Sequence, residues 1–480
     1  MTPALTIGSA LLYMWALIQS LPFAAAYFGG SYIKAIVWAA VAMAAILIAG
    51  AAAARRLGPK SFLLLLVAAS LAVRLGWVLW IDTPPVSDFK DMYDAAVRGA
   101  GGDFSFAGNE YFSRWAYLVG FTLYETVVVK LFGASVLVLK LLNAVFGAAT
   151  AVVVYRIGKA CFNAYCGRIA ALLYAFYLPN IMMCSVLTNQ HLSTLLFTLG
   201  CGLLATGRLR SRFGWLWIGL LFAAGQIIRP LGAFYVVAAV VYGLVWLVRR
   251  PENARRTVLL ARLAGLAVVY FVVLQLVGQL LIGAGIARYP LAAQEPYWKF
   301  MVGLNRETTG GWSQADTDYA LSFPLGSVRD EAELTLLRER LRTVELKSLL
   351  WDKARLLWGA DDASAYWSLY QTKQAQLQAD FNRAERAFYL AMAAFGVIGA
   401  LALLRRRAEE RGYALFALLL VGYAAIHLVI EIQTRYRLDM MPAFVLLQSF
   451  GIYTVHQWMQ TARQHIPNWR HSPWKKSRSL

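Results

Sequence analysis

Charge is what this sequence has least of. Asp, Glu, Lys and Arg supply 15% of its 480 residues, where a soluble domain carries about 25%. Hydrophobic residues supply 59% and the mean hydropathy is +0.54, which excludes a chain of ordinary soluble domains. Cysteine is scarce, at four. Cys161, Cys166, Cys184 and Cys201 lie in or near one loop and two apolar runs, so no disulfide framework follows. Cys161-x4-Cys166 has no partner histidines and makes no zinc site; the four are expected as buried packing residues. The five histidines form no ligand cluster, since His456, His465 and His471 fall at or beyond the last apolar run. The first apolar stretch has neither a basic leader nor an A-x-A-like site, so no cleaved signal peptide is expected.

What is present is a series of apolar runs near 20 residues long, about the length that crosses a ~30 Å hydrocarbon core. The basic surplus, 46 Lys and Arg against 26 Asp and Glu, sits in short clusters between these runs. They are Arg55-Arg56, Arg156/Lys159/Arg168, Arg208/Arg210/Arg212, Arg249-Arg250 with Arg255-Arg256, Arg405-Arg406-Arg407, and a tail from Arg463 to Arg478. Such spacing is the positive-inside signature and gives no support to nucleic acid as a partner. The chain therefore reads as an all-α polytopic membrane protein. Its clusters fix a register of about twelve spans, near 7–28, 32–54, 61–81, 135–155, 169–186, 188–206, 214–229, 231–248, 257–284, 388–404, 412–430 and 437–458. Both termini are then cytoplasmic.

Five regions follow. An N-terminal transmembrane hairpin covers 1–60, and a transmembrane core covers 61–284 with a first outer loop at 82–134. An extracytoplasmic cover segment covers 285–387, C-terminal transmembrane helices 388–460, and a basic cytoplasmic tail 461–480. Residues 115–132 are apolar enough to span, but a thirteenth crossing would put Arg156, Lys159 and Arg168 outside. They are read instead as a helix in the outer interface, with Glu125 and Lys130 on its wet side. In the cover segment Leu334, Leu337, Leu341 and Val344 recur at helical spacing among charges, which predicts an amphipathic juxtamembrane helix.

The inner charges are explained by topology, and the outer ones are not. Ionisable groups within spans or at their outer ends are functional candidates. Asp88 follows the third span after Pro84-Pro85; it is placed either as a general base or, with Ser87, as the cap of a short helix carrying Tyr93. Asp91 and Asp94 read as solvated. Arg74, two turns below that span's outer end, contacts substrate or pairs with an internal carboxylate. Arg229-Pro230 ends the seventh span, where the proline frees a carbonyl and the arginine suits an anion, a substrate's or a lipid's. His427, Glu431, Arg435, Tyr436 and Arg437 gather at the last outer junction. His427 and Glu431 stand i,i+4 on one helix face, and the arginines suit a phosphate. The plainer alternative is an ion-paired turn of Glu431, Arg435 and Asp439.

These pieces resemble the GT-C glycosyltransferases, in particular the bacterial relatives of protein O-mannosyltransferases and lipid A aminoarabinose transferases. The likeness is carried by Arg74-Leu75-Gly76-Trp77 with Ser87-Asp88 and Tyr93, by Tyr111-Phe112-Ser113-Arg114-Trp115, and by Lys140-x-x-Asn143. Further pieces are Gln226 to Pro230, Gly303-Leu304-Asn305 with Gly310-Gly311-Trp312-Ser313, and Glu431 to Arg437. Together they span roughly 61–458, so the first two spans read as an addition. Two departures stand out. Members often carry a Glu where this chain reads Leu187-Thr188-Asn189-Gln190-His191, and the first outer loop has no clear Asp-Glu pair.

The resemblance implies inverting transfer of a sugar from a polyprenyl-phosphate donor to an extracytoplasmic hydroxyl, at the bacterial plasma (inner) membrane. Asp88 is then the base toward an acceptor that is a saccharide, lipid or protein. Arg229, Arg435 and Arg437 hold the departing lipid phosphate, with Lys140 as a further contact and Arg74 and Tyr93 as weaker candidates. Such chemistry requires no cofactor, and a divalent ion between Asp88 and a phosphate is the less favoured variant. The competing function is a transporter or flippase of a lipid-linked saccharide, which would use the arginines and need no base.

Overall fold

The computed structural model describes residues 2–248, 253–405 and 412–465. The pairs Arg249-Arg250 and Arg406-Arg407 and nearly all of the basic tail lie outside them. Among the described residues the chain is helical throughout, with no strand and one isolated bridge, Trp115 to Ala293. It opens with α1 (Thr2–Tyr27), α2 (Tyr32–Arg56) and α3 (Pro59–Trp80). Proline at the first position of α3 and Pro84-Pro85 beyond its end delimit that helix. The first of the two segments expected on the outer side holds α4 (Ser87–Ala100), α5 (Glu110–Arg114) and α6 (Leu118–Phe132). Then come α7 (Val136–Cys161), α8 (Ala164–Phe176), α9 (Leu178–Met182), α10 (Gln190–Ala205), α11 (Gly214–Ile228), α12 (Gly232–Val248) and α13 (Asn253–Gly283). The second outer segment holds α14 (Trp298–Gly303), α15 (Gln314–Leu321), α16 (Ser327–Thr343), α17 (Leu346–Gly359) and α18 (Ser364–Ser368). The chain returns through α19 (Ala375–Arg405), α20 (Tyr413–Val429) and α21 (Arg437–His465).

Seven helices, α1, α2, α3, α7, α13, α19 and α21, are long and apolar enough to cross a membrane. The pair α8–α9, bent by 54°, makes an eighth if it is one crossing, and α10, α11, α12 and α20 are shorter apolar helices. The chain is thus a helical, multi-pass membrane protein. Helix α19 begins at Ala375, so residues 375–387 of the expected cover segment are its first turns.

Small residues set the closest crossings, as packing inside a bilayer favours. A Cβ on Gly451 of α21 would sit 1.9 Å from the Phe395 carbonyl of α19, and one on Gly158 of α7 would sit 2.9 Å from Gly167 of α8. Helix α1 is built into the C-terminal helices. Its Tyr13 is fully buried, donates to Phe444 O at 2.9 Å and packs its ring on Phe444. All four cysteines are free and buried, as their apolar settings predict.

The break between α8 and α9 explains Arg74. The carbonyl of Ala175 would ordinarily meet the amide of residue 179, which here is a proline and has none. Arg74, fully buried on α3, donates instead to Ala175 O at 2.8 Å, Ser70 Oγ at 2.7 Å and Tyr174 O at 3.4 Å. Trp77 Nε1 reaches Met182 O at 3.1 Å and Asn143 Nδ2 reaches Val186 O at 3.0 Å. Arg74 therefore closes a broken helix; the internal carboxylate considered for it is not among its partners.

Candidate functional site

The turn between α20 and α21 is the hub. Its backbone is tied to the second outer segment by Glu431 N to Lys299 O, 2.8 Å, and Ile432 N to Gly310 O, 2.9 Å. Lys353 of α17 donates to Ile430 O at 2.8 Å and Gly303 O at 2.7 Å. Burial lowers its amine to about 8 against the pull of Glu431. Gly303 has no room for a side chain, since a Cβ would lie 2.5 Å from Val429 O. The Gly303 and Gly310 motifs thus serve close backbone approach. Helix α20 ends at Val429, so His427 and Glu431 do not share a helix face. His427 is buried, its Nδ1 2.8 Å from Tyr423 O and its ring against Tyr423 and Tyr436. Glu431 pairs with Lys299 and accepts from Gln433 Nε2 at 2.8 Å. Burial pushes its carboxyl up, and Lys299 and Gln433 outweigh this, leaving it below its ordinary value.

The three outer arginines have different surroundings. Arg435 is half-buried, and its guanidinium carbon lies 5.3 Å from the Phe89 ring centre, 5.4 Å from Trp367 and 5.8 Å from Tyr436. Its Nε donates to Gln433 Oε1 at 2.7 Å, and among the described residues it has no carboxylate partner. Arg229, beyond the end of α11, donates to Asp439 Oδ2 at 2.8 Å and Asn189 Oδ1 at 2.9 Å. It also lies 5.5 Å from the Tyr436 ring, so Tyr436 is flanked by two guanidiniums. Gln190 Nε2 and Tyr423 Oη each bring a further donor to Asp439, both at 3.2 Å. Arg437 faces elsewhere. It is fully buried, 4.9 Å from the Tyr389 ring and 3.7 Å from Asp362 Oδ2, with Nε on Thr434 O. The ion-paired turn of Glu431, Arg435 and Asp439 does not form, because these acids take Lys299 and Arg229 instead.

Asp88 approaches this hub through its neighbour. Phe89 is buried beneath Arg435 and packs edge-on against Trp367 at 5.5 Å. Asp88 itself is exposed, in the first turn of α4. Neither Ser87 nor Asp88 caps that helix; Val86 holds the cap position without a side-chain bond. Ser87 has φ +51°, a left-handed strain that a non-glycine residue rarely adopts. Burial, then the charge of Asp88, holds the Tyr111 phenol well above its usual range, and burial with Asp88 also raises Asp91. Tyr93 is half-buried, raised by burial and then by Glu125. Glu125 is fully buried against expectation, since α6 turns that face toward α4 and only Lys130 stays wet. Lys140 is buried, donating to Thr83 O at 2.7 Å and lying 3.6 Å from Asp82.

The outer segments are stapled together by charge. Arg114 of α5 makes a bidentate pair with buried Glu295 at 2.7 and 2.9 Å, and Arg329 of α16 reaches Glu295 and Glu110, each at 2.6 Å. Arg340 clamps Asp316 at 2.5 and 3.0 Å. The buried face of α16 therefore carries Arg329 and Glu333, whereas Leu341 of the expected apolar stripe is exposed. Burial and neighbouring Glu295 raise Glu333 to about 8.

Lys299, Trp367 and Asp439 were not singled out as site residues by sequence, and Asn189 and Gln190 stood only as the place where relatives often carry a Glu. Asp439, two residues beyond Arg437, was noticed only as an ion-pair partner; Lys299 lies in the six-residue helix α14, too short for a periodic signal, and Trp367, Asn189 and Gln190 are uncharged. No curated protein matches the chain. One protein family does, over a stretch that contains Lys140, Asn189, Gln190 and Arg229 but neither Asp88 nor the Glu431–Arg437 run. From α6 into α13, at residues 120–274, the chain matches the dolichyl-phosphate-mannose-protein mannosyltransferase family, a GT-C-type glycosyltransferase family.

Proposed function

We propose that the protein moves a sugar from a polyprenyl-phosphate donor to an acceptor hydroxyl, with inversion, on the extracytoplasmic side of a bacterial plasma membrane. The observation that carries this reading is Arg435. Its charge is held by three aromatic rings, lacks a carboxylate partner among the described residues, and stands one residue's reach from exposed Asp88. A cation over aromatic faces keeps its in-plane N–H groups free for an anion. In the proposed step the acceptor oxygen attacks the anomeric carbon while Asp88 takes its proton. The bond from that carbon to the phosphate oxygen breaks, and the electron pair leaves on the phosphate. Arg435 and Arg229 stabilise that developing charge, the kind of contribution that usually dominates catalysis. Strain at Ser87, immediately before the base, is consistent with a preorganised site. Arg437 is left out of the phosphate site, since a phosphate would have to displace Asp362 to reach it. The step as written needs no metal.

Taking the bent pair α8–α9 and the four shorter apolar helices as crossings brings the spans to twelve. The Arg208–Arg212 and Arg156–Arg168 clusters then face the cytoplasm and both outer segments face away from it. The family description makes mannosyl polyprenyl phosphate the first donor to test.

The test is transfer of labelled sugar by the purified protein in nanodiscs, with extracted membrane lipids and surface polymers as acceptors. Asp88→Asn is expected to abolish transfer while donor still binds, and Arg435→Ala to raise the donor KM at least tenfold. Variants indistinguishable from wild type would overturn the assignments. Donor that is bound and moved across the membrane but never consumed would favour a flippase.

A further inference from the structure

The chain surrounds Arg229 with a resident anion. Asp439 Oδ2 accepts from its Nη2 at 2.8 Å, at a place where Arg229 is 13% and Asp439 2% exposed. The second oxygen of Asp439 accepts from Gln190, and Tyr423 donates to the first, so the carboxylate is anchored from α10 and α20. On its other side Arg229 meets a neutral amide, Asn189 Oδ1, at 2.9 Å. Any phosphate that uses Arg229 must share it with a carboxylate one hydrogen bond away, in surroundings where charges act strongly on each other.

We propose that Asp439 is a positioning residue that acts as counter-ion to Arg229 and sets how readily the spent lipid phosphate leaves. This rests on the glycosyl-transfer reading. Before transfer the donor phosphate is a diester with one negative charge. After transfer it is a monoester that can carry two, and a monoester dianion is the species a bare arginine cluster would hold longest. A fixed carboxylate beside Arg229 repels the dianion more than the monoanion, so it weakens product binding more than donor binding. It also keeps a buried guanidinium neutralised when no phosphate is present, which an unpaired buried cation would require.

The geometry allows the charge to be changed on either side of Arg229. Asp439→Asn keeps the shape and the acceptor oxygen but removes the charge. Asn189→Asp adds a second carboxylate opposite. Dissociation constants for undecaprenyl phosphate are measured on the purified protein in nanodiscs, with undecaprenol as the uncharged control. Asp439→Asn is expected to bind the phosphate on the order of tenfold more tightly, with kcat and donor KM both falling and with Asp439→Glu restoring both. Asn189→Asp is expected to bind it more weakly. Unchanged or weaker binding by a folded Asp439→Asn overturns the proposal. If that variant does not fold, Asn189→Asp decides alone: undiminished affinity overturns it. Wild-type protein that fails to prefer the phosphate over undecaprenol defeats the donor reading itself, a result distinct from variants that merely match wild type.

Discussion

At the scale of single residues, the arginines show how one side chain serves different ends. Arg74 supplies the donor that Pro179 cannot, and Arg437 is held between Asp362 and Tyr389. Arg435 rests on aromatic faces with only a glutamine on its Nε. From sequence all of them are simply cations within a span or at its outer end. Arg437→Ala leaves Asp362 buried and unpaired, and breaking such a pair costs about 3–5 kcal/mol. A marked fall in thermal unfolding temperature in detergent is expected, whereas Arg435→Ala, half exposed, should leave that temperature nearly unchanged. Equal losses for the two would remove the distinction drawn between them.

At the scale of elements, α16 is the instructive case. Leu334, Leu337, Leu341 and Val344 predict a helix there, and α16 forms over Ser327–Thr343. Its fully buried residues are nevertheless Arg329 and Glu333, because Glu295 and Glu110 face the first of them; Leu337 is half-buried against Trp298, Met301 and Val302, and Leu341 is exposed. Helical periodicity reports the helix, but the partner decides which face is covered. Glu333 gives this a pH signature. Its folded value near 8 lies above the ordinary 4.5, so the folded state binds the extra proton. The stabilisation from neutral Glu333 is complete below about 4.5 and is lost as pH rises through about 8. The opening free energy of α5, α14 and α16 read by hydrogen exchange should therefore fall between these limits in wild type. Once the base-catalysed intrinsic rate is divided out, the fall in opening free energy over this range should largely disappear in Glu333→Gln; an unaltered pH profile of that free energy would contradict it.

At the scale of the whole molecule, distant parts of the chain close on one another. Helix α1 packs against α19 through Tyr13 and Gly396, where a Cβ would lie 2.3 Å from the tyrosine ring, and the first and last outer segments meet at Phe89, Trp367 and Arg435. The proposed topology is testable directly. All four native cysteines are buried, so single cysteines at half-buried Ser211 and exposed Glu331 can be labelled with an impermeant maleimide in intact cells. Glu331→Cys should react from outside and Ser211→Cys only after permeabilisation. Reaction of both from one side would reverse the arrangement of the site.

Apart from the break at Pro179 and the early start of α19, the amino-acid sequence by itself determined the helical, multi-pass membrane architecture and most helices near their observed bounds. Those follow from local composition and period, because an apolar run of sufficient length and a basic loop act wherever they stand. Charge pairing was decided only by the tertiary structure. Asp439 turns to Arg229, Glu431 to Lys299 and Glu295 to Arg114 across 210, 132 and 181 residues of chain. Which acid neutralises which base depends on the few ångströms left between packed helices, and sequence spacing does not encode that distance.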